Sequence, residues 1–184
     1  MKKLLGVIWL GIIGVGGWLF LDYTRTSLLF PNSDFETGTL LNWTAQGEAF
    51  AGQPTPVESL EKRVGLTVFA RGRYLIGTFE GNQLRKRGDA PVGSLRSIPF
   101  VVRGDRIRFL IGAGNGTPEV SVQLVVDNQV VRQAIGYGKI TNSESLTPVE
   151  WDVSAWKGKE AYVQITDSAS NGWGHINVDD FRIR

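Results

Sequence analysis

The chain has 184 residues, 42% of them hydrophobic and 21% charged, with a formal net charge of +2 and no cysteine. That is enough apolar material for one ordinary core plus an additional segment. Interspersed charges, with Arg85-Lys-Arg87 the only tight basic cluster, exclude the basic stripe of a nucleic-acid binder; without cysteine there is no disulfide, thiolate metal site or cysteine nucleophile.

The additional segment comes first. Lys2-Lys3 precede an uncharged apolar run over residues 4–21, about the length of a membrane-crossing helix. Trp18-Leu-Phe-Leu-Asp-Tyr23 offers no small-x-small cleavage site, so the run is read as an uncleaved signal-anchor over residues 1–27, with secretion after cleavage as the alternative. Lysines on one flank place the N-terminus in the cytoplasm and residues 28–184 outside it, the chain crossing the membrane once.

Residues 28–184 read as all-β. No convincing helical period appears from Trp43 onward. Runs over 74–80, 95–102, 106–111, 120–126, 130–135, 149–153, 161–166 and 175–183 are alternating or β-branched, with Gly, Asn, Asp and Pro between them. Asp127-Asn128 reads as a tight hairpin turn. Eight or nine strands without intervening helices predict a two-sheet antiparallel jelly-roll sandwich. Gly112-Ala-Gly-Asn-Gly116 looks like a dinucleotide fingerprint, but a period-2 run follows it. No helix N-terminus would face a pyrophosphate, so the turn is a strand connection at the rim and no nucleotide is expected.

Asp179 and Asp180 are consecutive and on a regular strand point to opposite faces, so they cannot act as a carboxylate pair. The inward one needs a partner, either an arginine or a calcium ion completed by Asn32-Ser-Asp-Phe-Glu36. His175 is the only histidine and cannot build a multi-histidine metal site. Arg132, Glu144, Asp127 and Asp167 lie in or beside strands. An arginine and carboxylates near a loop aromatic, here Trp173 or Tyr137, suit sugar hydroxyls and the apolar C–H face of a sugar ring. Trp43, Trp151 and Trp156 are assigned to packing.

In order along the chain stand Phe35-Glu36, Leu41-Asn-Trp43, Gly47-Glu-Ala-Phe50, Tyr74-Leu-Ile-Gly-Thr78, Gly93-Ser-Leu-Arg-Ser97, Phe109-Leu-Ile-Gly-Ala-Gly114, Val125-Val-Asp127, Trp151-Asp-Val153 and Trp173-Gly-His-Ile176 with Asp179. This succession resembles the carbohydrate-binding β-sandwich modules of the galactose-binding-like superfamily, in particular those attached to levanases and other β-fructosidases. The resemblance implies a non-catalytic, lectin-like domain for fructan or another polysaccharide. It implies Arg132, Glu144, Asp167, Trp173 and His175 as ligand contacts, and Glu36 and Asp180 as ligands of a structural calcium. The catalytic propeller of the β-fructosidases is absent, and residues 136–146 depart from the pattern. Two other readings stay open: a protein-interaction scaffold at the membrane, which would expose an apolar patch, and a glycoside hydrolase, which needs two carboxylates facing one cleft.

Overall fold

The computed structural model describes residues 26–83, 88–114, 116–136 and 144–184. The apolar run at 4–21, Arg85-Lys-Arg87 and Tyr137 lie outside the described residues. Among the described residues no helix is long and apolar enough to cross a membrane.

Two antiparallel sheets form a sandwich. The first is built from β1 (Ser27–Leu28), β3 (Thr55–Pro56), β4 (Tyr74–Gly77), β7 (Arg106–Gly112), β10 (Thr147–Asp152) and β12 (Asn177–Ile183), ordered β10-β7-β12-β4-β3. β1 and β4 share one side of β12, pairing with its two ends. The second sheet holds β2 (Trp43–Gly47), β5 (Gly93–Ser97), β6 (Phe100–Val101), β8 (Val120–Val126), β9 (Gln129–Ile135) and β11 (Glu160–Asp167), ordered β2-β5-β11-β8-β9, with β6 also on β11.

The alternation read in the sequence closes this core. Val122, Leu124, Val163, Ile165, Leu95, Ile107 and Phe109 project inward, at most 1% exposed. Phe109 stacks on Phe181 at 4.9 Å, with Trp151 edge-on to Phe109 at 4.7 Å. Trp43 and Trp151 are core residues, and Trp156 packs against the core. The β8–β9 hairpin turns through Asp127 and Asn128 at φ 50° and 61°, the positive pair that a type I′ turn requires. The glycine-rich turn connects β7 to β8 at the rim, and no helix follows it.

Four sequence expectations are corrected. A helix, α1 (Val57–Val64), packs Leu60 into a second small core with Val68, Leu75 and Leu146. Its Gly65 stop at φ 71° and its Val57, Leu60, Val64 spacing are ordinary helix signals, but the stretch is short and flanked by strand-like runs. The run at 74–80 is a strand only to Gly77, then turns into α2 (Thr78–Gln83). The run at 95–102 splits into β5 and β6 around Pro99, which has no N–H for the ladder. Furthermore, β12 is not regular: the register shifts between Asp179 and Arg182, and Asp180 sits at φ 57°. The face alternation argued for Asp179 and Asp180 therefore fails, and both are buried.

Candidate functional site

One end of the sandwich gathers the polar side chains. Asn177, the first residue of β12, pairs with Gly77 and Gly112, the last residues of β4 and β7. Asp167, the last residue of β11, pairs with Gly93 and Val120. The glycines make the packing possible. A Cβ on Gly112 would lie 2.9 Å from the Glu144 carbonyl, closer than real side chains come, and one on Gly77 would crowd Glu80 Oε2 at 3.1 Å.

His175 is the centre, 4% exposed. Its Nδ1 lies 2.8 Å from Asp89 Oδ1 and its Nε2 3.3 Å from each oxygen of Glu144. Two carboxylates on two ring nitrogens call for the imidazolium, which donates from both. Burial by itself would lower the pKa of His175, but the hydrogen bonds and charges of Asp89 and Glu144 outweigh it and raise the value to about 9. Arg63, from the last turn of α1, places Nη2 2.7 Å from Glu144 Oε1 and donates through Nε to Glu80 of α2. Asn177 Nδ2 donates to Glu144 Oε2 at 2.8 Å.

These partners separate the carboxylates electrostatically. For Glu144, burial is opposed by His175 and Arg63, which together hold it down to about 2. Glu80 shares Arg63 but lacks the imidazolium; there burial prevails and its pKa is raised. Asp167 is raised to about 7, mainly by burial, despite a hydrogen bond with Thr78. Glu80 Oε2, Asp167 Oδ1 and Asn177 Oδ1 are buried without a hydrogen-bond partner, so this end of the domain retains acceptors that the protein does not satisfy.

An aromatic wall stands over the network. Trp173, at φ 67° in the β11–β12 connection, stacks on His175 with centroids 5.7 Å apart and planes 22° apart. Its backbone N–H donates to Asp89 Oδ2 at 2.9 Å. Phe79 packs against the imidazole at 5.1 Å, and the Arg63 guanidinium covers Phe79 at 4.6 Å.

Of the five ligand residues expected from the sequence, Glu144, Asp167, Trp173 and His175 come together. Arg132 does not. It points inward from β9, donates through Nε to the Asp152 carbonyl at 3.0 Å and covers the Trp156 ring at 4.4 Å. It thus ties the edge strands of the two sheets at the far end of β10, roughly 20 Å of strand from Glu144. Asp127 is likewise remote, in the hairpin turn with Lys159. Sequence reasoning missed Arg63, Phe79, Glu80, Asp89 and Asn177. A helix reading of 57–64 would have exposed Arg63; nothing local marked Asp89.

The calcium residues occupy a different place. Glu36 and Asp180 line one cavity of about 710 Å³ with Asp34, Arg71 and Arg182. Asp180, however, faces arginines: Oδ1 accepts from Arg182 at 2.8 Å and Oδ2 lies 3.6 Å from Arg71. Asp179 is the carboxylate left over. Oδ2 accepts from the Arg71 N–H at 2.7 Å, whereas the buried Oδ1 has no partner. Burial, then the charges of Asp180 and Glu36, raise its pKa to about 8. Glu36 Oε1 accepts from the N–H groups of Arg73 and Tyr74. Among the described residues no three His, Asp or Glu side chains are arranged to hold a metal; of these carboxylates, Asp180 is paired with arginines and Asp179 keeps a buried oxygen without a partner.

No protein-family model matches the chain. Over 111 residues it is 41% identical to ecdE of Aspergillus rugulosus, a protein named as a glycosyl hydrolase; the match covers 59% of this chain and 15% of ecdE. Several solved structures share the fold. The K2 adhesin domain of Lys-gingipain superposes with a TM-score of 0.54 at 16% identity, covering 82% of this chain and 96% of that one. TmCBM61, solved with β-1,4-galactotriose, gives 0.52 at 15%, covering 86% and 99%. A cyclase from Fischerella sp. gives 0.50 at 13%, covering 86% and 96%. At these identities the likeness establishes the fold, a β-sandwich found in binding modules and in an enzyme alike.

Proposed function

We propose that the sandwich is a carbohydrate-binding domain whose ligand seats at the Trp173–His175 end. The observation that carries this is the stacked Trp173–His175 pair at the same end of the sandwich as buried oxygen acceptors that lack partners: an apolar ring for the C–H face of a sugar, acceptors for its hydroxyls. TmCBM61, of the same fold and solved with a galacto-oligosaccharide, supports the reading, and fructan or another neutral polysaccharide is the ligand class. Glu144 contacts the ligand less directly than the sequence implied; its oxygens are already engaged by Arg63, His175 and Asn177, and its role is to hold the imidazolium under Trp173.

The domain is non-catalytic in this reading. Hydrolysis is the second reading, favoured by one observation: Glu144 and Asp167 titrate far apart, as a base and an acid would. Against it, Glu144 is tied down by three partners. The likeness to ecdE, confined to 15% of that protein, suits a module appended to a separate catalytic domain. We further propose that residues 4–21 anchor the chain with the sandwich outside the cytoplasm, supported by the uncharged run behind Lys2-Lys3. A structural calcium would be held by Asp179 and Glu36, supplying positive charge to the carboxylates there.

The test is isothermal titration with galacto- and fructo-oligosaccharides together with reducing-sugar release. Saturable binding, at least tenfold weaker in Trp173→Ala with an unfolding midpoint within a few degrees of the parent, is the expected result. Sugar release abolished by Asp167→Asn would replace binding with hydrolysis.

A further inference from the structure

The two outer faces of the sandwich differ in chemistry. The outer face of the first sheet is charged and self-paired, with Arg108 to Glu150 at 3.3 Å and Arg106 to Asp152 at 3.1 Å, and α1 packs against β3 and β4 of that sheet. The second sheet is different. Because Leu95, Val163, Ile165, Val122 and Leu124 are fully buried, their strand neighbours lie on the opposite face of the sheet, where Thr44, Gln46, Arg96 and Gln133 are exposed while Ser121 and Val125 are buried.

Those neighbours fall into register. Thr44, Arg96, Gln164, Gln123 and Gln133 are successive cross-strand partners over β2, β5, β11, β8 and β9. One row of hydroxyl, guanidinium and three amides thus crosses all five strands, about 19 Å at the usual strand spacing. A parallel row runs Gln46, Ser94, Thr166, Ser121. On the other side stand Tyr162 and Val125, paired across β11 and β8. Arg96 lies flat on the Tyr162 ring at 3.6 Å, which fixes its fork of donors in place. Tyr162, Arg96 and Val125 also wall a depression of about 260 Å³, whose rim carries Asp127 and Glu160. None of the three rows contains a carboxylate.

We infer that this face is a second binding surface, distinct from the Trp173 end, and that its occupant is a linear neutral polysaccharide lying across the strands. Amides and hydroxyls donate and accept equally, which matches a chain of sugar hydroxyls. A protein partner would need a broad apolar centre; the apolar part of this face is confined to one margin, Tyr162 with Val125 and the exposed Val130. A nucleic acid would need several cations, and the three rows hold one. The inference rests on the carbohydrate-binding reading but uses different residues, so the two fail separately.

The experiment is biolayer interferometry of the full chain, in a detergent without a sugar headgroup, on immobilised levan, inulin and β-1,4-galactan, with titration of the corresponding trisaccharides alongside. Arg96→Ala and Gln164→Ala should each weaken polymer binding roughly fivefold to tenfold, the scale of one lost specific contact, and leave trisaccharide binding unchanged. Trp173→Ala should weaken both. Thr44→Glu and Gln133→Glu, at exposed ends of the row, should also weaken polymer binding; Gln133→Glu gives up the hydrogen bond to Ser121 as well, so Thr44→Glu is the cleaner of the two. Parent-like polymer binding by all four face variants would overturn the second surface and leave the Trp173 site standing. Binding of none of the probes by the parent chain would overturn both.

Discussion

Arg63 is the sharpest test of the charge network. Arg63→Met keeps an apolar stem but removes the guanidinium that covers Phe79 and is shared by Glu80 and Glu144, which are 7% and 6% exposed. Breaking a buried pair by deleting one partner costs about 3–5 kcal/mol. Here the lower end applies, because Arg63 keeps 31% of its side chain in solvent, Glu144 retains His175, and Glu80, whose pKa is already raised, can take up a proton. A loss of about 3 kcal/mol lowers the melting temperature of a chain this size by roughly 6–12 °C. Urea unfolding at pH 7 of Arg63→Met, Glu80→Gln and the double variant forms a cycle, in which the double variant should recover at least about 1 kcal/mol relative to additivity. The deficit of Arg63→Met should shrink as the pH falls and Glu80, its pKa raised by burial, becomes neutral. A cost below about 1 kcal/mol, with no coupling to Glu80, would show that the network does not depend on Arg63 for its charge balance.

Other outcomes follow from the same geometry. His175 has a folded pKa of about 9 against 6.5; because it is raised, its stabilisation is complete below pH 6.5 and disappears as the pH rises through 9. That gap corresponds to about 3 kcal/mol, and a stability profile from pH 6 to 10 that is identical in His175→Gln would contradict it. The same interaction depresses Glu144, so the two shifts are one stabilisation and are not added. Arg132→Ala should cost about 1–2 kcal/mol through the lost hydrogen bond and ring contact, with sugar affinity unchanged; the reverse pattern would return Arg132 to the binding site. Calcium should raise the unfolding midpoint more at pH 8 than at pH 6, since protons compete for Asp179, and Asp179→Asn should abolish the response. Unfolding curves indifferent to calcium and chelator would remove the metal.

The sandwich was legible because its signal is local. Alternation in Arg106–Gly112, Val120–Val126 and Glu160–Asp167 states which side chains face inward, and Asp127-Asn128 is a turn for reasons contained in two residues. Pro99 could have announced the break between β5 and β6. Trp173 was legible as a loop aromatic from the Ser168-Ala-Ser-Asn-Gly172 stretch before it; its stacking on His175 was not. The face alternation expected of Asp179 and Asp180 failed because it assumed a regular β12. The bulge at Asp180 decides that Asp180 meets Arg71 and Arg182 while Asp179 keeps an oxygen without a partner.

The sequence by itself determined the fold class, the hairpin, the buried tryptophans and the exclusion of a nucleotide turn, because each follows from residues within one or two turns or strands. Only the tertiary structure decided the site. Arg63, Glu80, Asp89, Glu144, Asp167 and His175 come from six separate stretches, brought together where β4, β7, β11 and β12 meet at one end of the sandwich. The charge states of those residues arise from burial and mutual contact, and no spacing along the chain encodes either.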